Sequence, residues 1–378
     1  MMTLQAVKAN ASDIHMVPGY DSAKVPFRID GQLRQIVELP LTLHEGMVSR
    51  MKAEAVMDIS EGQRPQNGGF NLIFDERRVE FRVASIGTTW GEMMVIRVLD
   101  HSGGLLSLDS LGMEAQSIWK WRSLLELPYG MLIVSGPTGS GKTTTLYASA
   151  AEAMASRGNI MSVEDPIEYR INGINQIQVN HASGIDFPSG LRSIMRLDPD
   201  VILVGEIRDA ETAVAAVNAA LTGHLVLASI HSNDAASSIV RPLNLGVEPY
   251  LAAAAVIGCL AQRLVRHVCP KCGVPSEATA TETIAYEQAM QEPAPHFVSG
   301  PGCNFCNASG FVGRSGVFEV LAVDEAIRRQ IAHGASGPEI RDTATGNGMV
   351  AMRRAGMQMA RSGKTSVSEV FRNVFLID

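Results

Sequence analysis

One stretch of the chain has residue types and spacing suited to binding nucleotide phosphates. The pattern G-x-x-x-x-G-K-[ST] is met by Gly136, Gly141, Lys142 and Thr143. An apolar run at 131–134 precedes the pattern and helical spacing follows it, which is the strand–loop–helix context that the motif needs. Glycines allow successive backbone N–H groups to face phosphate oxygens, and the helix N-terminus adds a positive dipole.

The motif predicts a nucleoside triphosphate site with one lysine and one metal ligand. Lys142 would reach the β- and γ-phosphates, and Thr143 would bind Mg²⁺. The residues expected to contact the nucleotide are Gly136, Pro137, Thr138, Gly139, Ser140, Gly141, Lys142, Thr143 and Thr144. The motif indicates nucleotide binding but does not say what the binding drives.

Carboxylates stand at the ends of two predicted strands. The apolar run 201–204 leads through Gly205 to Glu206, and the run 161–163 leads to Glu164. Gly205 occupies the place where a Walker B strand usually carries its metal-binding aspartate, so Glu206 would handle the water shell of the metal, the nucleophile, or both. Phosphoryl transfer needs a held Mg²⁺ and an oriented water. The alternative is that each carboxylate is a helix cap or a solvated charge.

His231 directly follows a third predicted strand, 225–230. A lone histidine is more often a structural residue than a functional one. Here the strand end lies at the sheet edge where the nucleotide is expected, so His231 could contact the γ-phosphate and move when it leaves. His224, at the other end of the strand, is expected to be structural.

Four of the five cysteines form two C-x₂-C pairs, which are Cys269, Cys272, Cys303 and Cys306. Two such pairs can complete a tetrahedral thiolate site, so we expect a structural Zn²⁺ without a catalytic role. Incidental or redox-active cysteines are the alternative, because the roughly thirty-residue separation exceeds that of a compact zinc ribbon. Cys259 stands apart in the apolar segment 252–259, which is expected to be a packed helix.

Composition restricts the protein class. The chain has 378 residues, 46% of them hydrophobic, and a net charge of −7. No apolar run reaches transmembrane length and the N-terminus does not resemble a secretory signal, so we expect a cytoplasmic protein. The acidic balance argues against a nucleic-acid motor with a broadly basic surface.

The pattern along the chain predicts two domains. Residues 1–100 are expected to form a small α+β domain with a hairpin near 25–37 and a helix over 44–57. Residues 101–114 are expected to be a linker that begins with His101-Ser-Gly-Gly104. Residues 115–378 alternate short strands with helices, which indicates an α/β domain with a parallel sheet, followed beyond Arg263 by a zinc-binding insertion and a helical C-terminus.

Taken together, the motifs resemble one family, the ATPases of type II secretion and type IV pilus assembly. The P-loop resembles the Walker A motif of that family, and 163–168 resembles its Asp box. Residues 197–209 are similar to its Walker B region and 222–234 to its His box. Further segments, 11–15 and 27–31, resemble the start of its second N-terminal domain. The match runs in the family's order over nearly the whole chain.

The resemblance implies that residues 115–378 form a RecA-like P-loop ATPase domain and that the protein is a homo-hexamer with ATP bound between subunits. It also assigns roles to residues. Arg82 and Arg97 of the N-terminal domain would approach the γ-phosphate, which suits a planar and permanently charged guanidinium. Glu164 would polarise the water, Glu206 would manage the metal and its waters, and His231 would contact the phosphate, although the division between the two glutamates stays open. Composition alone would make both arginines exposed strand charges.

The resemblance also implies partners. Assembly and secretion members carry the tetracysteine element, which retraction motors generally lack, and they act on an inner-membrane platform. We therefore expect a cytoplasmic motor, peripherally associated with the inner membrane, that adds pilin-like subunits and has no nucleic-acid partner. Family members usually carry a further N-terminal docking domain, whereas this sequence starts almost directly at the second domain. Recruitment by that module is therefore an open question, and the chain is either a compact branch of the family or a shortened form.

Two rivals belong to other functional classes. A nucleic-acid-translocating ring is disfavoured by the net acidity and by the lack of interleaved basic and aromatic residues. A scaffold that binds ATP without hydrolysing it is disfavoured by the presence of Lys142, Glu164, Glu206 and His231.

Overall fold

The computed structural model describes residues 1–100 and 104–375. The chain divides into two compact units, Met1–Gly104 and Leu105–Asp378. Within the described ranges, no helix is both long enough and apolar enough to cross a bilayer.

The first unit is a six-stranded antiparallel sheet with two helices, in the strand order β3-β2-β1-β6-β5-β4. Its elements are α1 Met2–Lys8, β1 Ala11–Pro18, β2 Ser22–Ile29, β3 Gln32–Pro40, α2 Leu41–Glu54, β4 Gln66–Phe74, β5 Arg77–Thr88 and β6 Gly91–Asp100. Alternating residues such as Ile14, Phe27 and Phe81 are buried in a shared core. The expected hairpin forms between β2 and β3 at Asp30-Gly31, where Gly31 has a φ of +82° that glycine adopts without strain.

The second unit is built on a seven-stranded sheet in the order β15-β12-β7-β11-β10-β8-β9. Its sheet strands are β7 Gly130–Ser135, β8 Ile160–Glu164, β9 Ile174–Gln178, β10 Val201–Val204, β11 Leu225–Ile230, β12 Val256–Val268 and β15 Phe311–Ala322. All neighbours are parallel except β15, which runs antiparallel to β12. Two short strands, β13 Val274–Ser276 and β14 Phe297–Ser299, pair in a separate two-stranded sheet. The expected α/β class with a mostly parallel sheet is confirmed.

Helices cover both faces of this sheet. They are α3 Ala115–Leu125, α4 Lys142–Met154, α5 Phe187–Ile194, α6 Ala210–Leu221, α7 Ala235–Asn244, α8 Pro249–Ala255, α9 Ala280–Met290, α10 Glu325–Ala332, α11 Gly337–Gly346, α12 Met352–Arg361 and α13 Val367–Val370. β7 is buried on both sides, with Met131 and Ile133 in one core and Leu132 and Val134 in the other. This double burial explains why the parallel strands read as unbroken apolar runs.

One sequence expectation needs correction. The helix expected over 252–259 ends at Ala255, and β12 begins at Val256. The β-branched Val256 and Ile257 lose side-chain freedom in a helix, and Val256 and Cys259 instead pair with Met131 and Ile133 of β7. Beyond Arg263, β12 continues to Val268 and β15 adds the antiparallel edge, and the expected helical C-terminus follows as α10 to α13. Cys259 is buried, as expected, but it lies in a strand.

The expected linker falls partly outside the described residues, since 101–103 are not covered. From Leu105 onward the chain belongs to the second unit. A 3₁₀ turn at Leu108–Leu111 places Leu108 in the core around α3 and α4, because both of its ends are apolar.

Candidate nucleotide site and tetracysteine cluster

The phosphate-binding loop lies between β7 and α4, as the motif predicts. α4 begins at Lys142, directly after Gly141, whose φ is +91°. Gly136 has a φ of +151°, and a Cβ added there would lie 2.6 Å from the carbonyl oxygen of Gln262. Both glycines are therefore required by backbone conformation, and at Gly136 by the close approach of β12 as well.

The Lys142 ammonium points back into the loop. Its Nζ donates to the carbonyl oxygens of Gly136, at 2.9 Å, and Pro137, at 3.1 Å. Burial lowers the pKa of Lys142, while the negative charge of Glu206 opposes that shift. The lysine charge is thus held at the mouth of the loop and is coupled electrostatically to the carboxylate after β10.

The loop is supported by a residue that the sequence analysis did not single out. Gln262 on β12 donates from Nε2 to the carbonyl oxygen of Ser140, at 2.6 Å, and its Oε1 accepts from Thr145 Oγ1, at 2.7 Å. The amide therefore joins the loop to the first turn of α4. No motif marks this glutamine, and it is recognisable only once β12 is known to lie beside β7.

Glu206 and His231 meet at the sheet edge because they follow neighbouring strands, β10 and β11. His231 Nε2 lies 2.7 Å from Glu206 Oε1, and Arg208 Nη2 lies 2.6 Å from Glu206 Oε2. Burial acts to raise the pKa of Glu206, but the hydrogen bond from Arg208 and the charges of His231 and Lys142 outweigh it and lower the pKa. The carboxylate is therefore kept ionised by its cationic neighbours Arg208 and Lys142.

Glu164 has a different environment, although it also stands at a strand end. The residue is 3% exposed, and its carboxylate accepts hydrogen bonds from Tyr147 Oη, from Ser162 Oγ at 2.5 Å and from Gln176 Nε2 at 3.1 Å. Tyr147 lies on α4, so the phosphate-binding helix contacts Glu164 directly. The sequence placed both glutamates at one edge, and the structure adds that one is surrounded by donors and the other by cations.

The P-loop and the segment after β11 line one cleft of about 550 Å³. Its lining residues are Pro137, Thr138, His231, Ser232, Asn233, Asp234 and Ser237. The structure thus brings His231 and two of the predicted nucleotide contacts to the same cavity.

Three residues from the C-terminal part of the second unit hold the segment after His231. Arg263 Nη2 donates to the Asn233 carbonyl oxygen at 2.8 Å, and Arg341 Nη2 lies 2.5 Å from Asp234 Oδ2. The buried Glu319 on β15 accepts the Ala235 N–H at 2.9 Å and the Met352 N–H at 2.9 Å. These contacts fix the start of α7 and therefore one wall of the cleft, and the sequence analysis missed all three residues.

Arg82 and Arg97 lie opposite each other on β5 and β6 of the first unit. Arg97 Nε lies 3.2 Å from Asp13 Oδ1, and Arg28 Nε lies 3.7 Å from Asp13 Oδ2. The Arg97 side chain is 60% exposed, whereas that of Arg82 is 31% exposed and contacts Glu80. Cross-strand register therefore produces a row of guanidinium groups on the face of the sheet opposite its apolar core.

The four C-x₂-C cysteines converge in the second unit. All four Sγ atoms lie within 4.8 Å of one another. Sγ of Cys303 is 3.9 Å from that of Cys269 and 3.7 Å from that of Cys306. Tetrahedral zinc with Zn–S bonds of about 2.3 Å requires sulfur–sulfur separations near ~3.8 Å. The donor set and its spacing therefore fit a closed tetrathiolate metal site.

Backbone donors reach this cluster as well. The N–H groups of Cys303 and Gly310 both point at Cys306 Sγ, at 3.2 Å each. Burial acts to raise the pKa of Cys306, but these donors and the neighbouring thiols lower it to about 6. Such stabilisation of a thiolate is what a metal ligand needs.

The comparison with known proteins decides the family. The model of the type II/IV secretion system protein family matches residues 1–372. This chain belongs to that family. The type II secretion system protein HxcR of Pseudomonas aeruginosa is 43% identical over 368 residues, which cover 97% of this chain and 75% of HxcR. The type IV pilus assembly ATPase PilB of Myxococcus xanthus is 39% identical over 376 residues, which cover 99% of this chain and 66% of PilB.

Solved structures support the same fold. The ATPase DotB of Legionella pneumophila superposes with a TM-score of 0.69 at 20% identity, over 97% of this chain and 93% of DotB. With a complete P-loop and relatives named as secretion and pilus assembly ATPases, the chain is an ATPase of the type II/IV secretion family.

Proposed function

We propose that this ATPase hydrolyses ATP at the cleft between the P-loop and His231, and that hydrolysis powers assembly of a type IV pilus or a type II secretion pseudopilus. The observation that carries the proposal is the meeting of Lys142, Glu206 and His231 at one sheet edge beside a complete P-loop. Related proteins named for type II secretion and for pilus assembly support both branches of the proposal.

The chain's own groups account for binding. Residues 136–144, apart from Pro137, offer backbone N–H groups and the N-terminus of α4 to the phosphates. Lys142 exchanges its loop carbonyls for phosphate oxygens. Thr143 is the expected ligand of Mg²⁺, which neutralises phosphate charge when bound. The carboxylates supply acceptors for the water shell of the metal.

The two glutamates are proposed to have different roles in hydrolysis. Glu206 lies close to Arg208, His231 and Lys142, so it is ionised and suited to accept hydrogen bonds from the waters of the metal. Its contact with His231 also connects it to the residue that is proposed to bind the γ-phosphate. Glu164 is oriented by three donors and is proposed to polarise the attacking water. His231 would lose its phosphate contact after hydrolysis and return to Glu206, which relates the nucleotide state to the position of the segment before α7.

We further propose that the active form is a homo-hexamer in which Arg82 and Arg97 of one subunit serve the P-loop of the next. The row of guanidinium groups supports this role because it is a cationic and partly exposed surface, and a guanidinium donates in a fork that matches phosphate oxygens. Asp13 would hold Arg97 in place until the phosphate competes for it.

The tetracysteine cluster is proposed to bind one structural Zn²⁺. Its sulfur spacing and its thiolate-stabilising donors support that assignment. The partner is proposed to be an inner-membrane platform, so that the protein works in the cytoplasm at the membrane surface.

Cells that carry Glu206→Gln test the direction of work. An assembly motor without turnover gives cells that lack fibres under the electron microscope, and abundant fibres on the mutant cells would contradict the proposal. A pull-down of the membrane platform with the same variant separates the two possible causes of missing fibres. A variant that still binds the platform lacks ATP hydrolysis, whereas one that does not bind it has lost recruitment.

A further inference from the structure

Glu164 is held by three side chains that the known motifs do not assign. Within the described residues, two donors reach Oε1, from Ser162 and Gln176, and one reaches Oε2, from Tyr147. A carboxylate accepts about four hydrogen bonds. Oε2 therefore keeps room for one further donor, and this atom is the one that the phenol fixes.

Tyr147 occupies a special place on the phosphate-binding helix. It lies four residues after Thr143 in α4, so the two side chains share one face of the helix. That face carries both the expected metal ligand and the hydroxyl that contacts Glu164. The phenol links α4 to the carboxylate at the end of β8.

The phenol is also fixed on its other side. Its oxygen accepts the backbone N–H of Glu168 at 3.4 Å, and its ring packs edge-on against Tyr169 at 4.7 Å between centroids. Burial, followed by the charge of Glu164, raises the pKa of Tyr147, so the hydroxyl keeps its proton and remains a donor. Donating to one partner while accepting from another strengthens both bonds.

Gln176 completes the arrangement from β9. Its Nε2 donates to Glu164 and to the Tyr169 carbonyl oxygen, at 3.2 Å, and its Oε1 accepts the Ile171 N–H at 2.9 Å. The loop after Glu164 is therefore tied to the same amide that holds the carboxylate.

We propose that Tyr147 is a positioning residue that orients Oε2 of Glu164 toward the attacking water, with Ser162 and Gln176 fixing Oε1. The inference rests on the role proposed above for Glu164. It predicts that the hydroxyl of Tyr147 matters for turnover and hardly for nucleotide binding, because the phenol holds the carboxylate and does not line the P-loop.

The test is Tyr147→Phe in the full chain, with kcat, KM for Mg-ATP and the Kd for ADP measured on one preparation. We expect kcat to fall about 10- to 100-fold, as is typical when a supporting hydrogen bond to a site ligand is lost. The Kd for ADP should change less than about twofold, because the binding groups are untouched. Intact ADP binding also shows that the variant is folded.

The matched control is Tyr286→Phe. Tyr286 Oη likewise donates a hydrogen bond to a glutamate, Glu292 Oε1, at 2.5 Å. Tyr286 lies in α9 and Glu292 just after it, in the segment between the two cysteine pairs. The control should leave kcat unchanged. Ser162→Ala should lower kcat less than Tyr147→Phe does, since Gln176 still serves Oε1.

A double-mutant cycle separates positioning from packing. In the Glu164→Gln background, Tyr147→Phe should cause little further loss, because residues that act as a unit are not additive. A kcat within twofold of the wild type in Tyr147→Phe, while Glu164→Gln is inactive, overturns the inference and leaves the role of Glu164 intact. Equal losses in kcat and ADP affinity would also overturn it. An active Glu164→Gln would refute the proposed role of Glu164 itself.

Discussion

The sheet edge around Lys142 and the tetracysteine cluster are both motif sites, yet they are built in opposite ways. At the edge, the loops that follow β7 and β11 line an open cleft of about 550 Å³, and Glu206, which follows β10, contacts His231 of that lining. In the cluster, two short turns close four sulfur atoms to within 4.8 Å of one another. An open site leaves positions for a substrate and a closed site does not. The difference is the reason why we propose the edge as the site of hydrolysis and the cluster as a structural metal site.

Removing the P-loop lysine should cause the largest difference in ATP hydrolysis between a variant of the edge and a variant of the cluster. Lys142→Ala should lower kcat/KM for ATP by on the order of 10⁴-fold or more, because the phosphates lose their main compensating charge in both binding and turnover. Steady-state hydrolysis measures the loss. The control is Lys271→Ala, which removes the same charge from a cysteine turn and should leave hydrolysis unchanged; a comparable loss in that variant would break the comparison.

The carboxylates at the edge should affect turnover more than binding. Glu206→Gln and, separately, Glu164→Gln should each reduce kcat by about 10²- to 10⁴-fold, since each acts mainly in the transition state. ADP binding, followed with a fluorescent analogue, should be retained in both. Near-normal turnover in both variants would contradict the assignment of the edge as the catalytic site.

Substitutions in the closed cluster should affect metal content and local stability rather than nucleotide binding. Purified protein should contain about one Zn²⁺ per chain, and Cys303→Ser should lose it because one of four ligands is gone. We expect faster hydrogen exchange across 269–306 while ADP binding is kept. Reduced, freshly prepared protein without metal in elemental analysis would refute the zinc assignment.

The smallest effect is expected where the C-terminal part of the second unit supports the cleft. Arg341→Ala breaks a pair with Asp234 in which the arginine side chain is 42% exposed. Partly exposed pairs contribute up to about 1 kcal/mol, so ADP affinity should weaken by no more than about fivefold. Arg361→Ala, which breaks the pair with Glu292, should leave affinity unchanged. Equal effects in the two variants would show that the segment after His231 does not shape the cleft.

How far the sequence predicted these two sites depends on how local each site is. The cysteine pairs and the P-loop are local patterns, so their residues and their spacing sufficed. Glu206 and His231 could be placed because the carboxyl ends of parallel strands meet at one edge. These parts of the fold and site follow from short-range signals.

The supporting residues could not be predicted, because their roles depend on pairing between distant segments. Gln262 and Arg263 lie on β12, whose first residues continue an alanine-rich sequence that favours a helix. Glu319 lies on β15, whose antiparallel pairing with β12 joins segments that are far apart in the sequence. The contrast between Glu164 and Glu206 likewise depends on what packs against each strand end, which the spacing of residues does not encode.

The shared site between subunits is the central claim, and mixing two inactive variants tests it most directly. Arg97→Ala subunits keep an intact P-loop, and Lys142→Ala subunits keep an intact arginine row. In a ring with head-to-tail interfaces, an equal random mixture makes about one quarter of the interfaces complete. We predict that each variant alone is nearly inactive and that the mixture recovers ATP hydrolysis in that proportion. A mixture as inactive as its components, or an Arg97→Ala protein with full activity, would contradict the account.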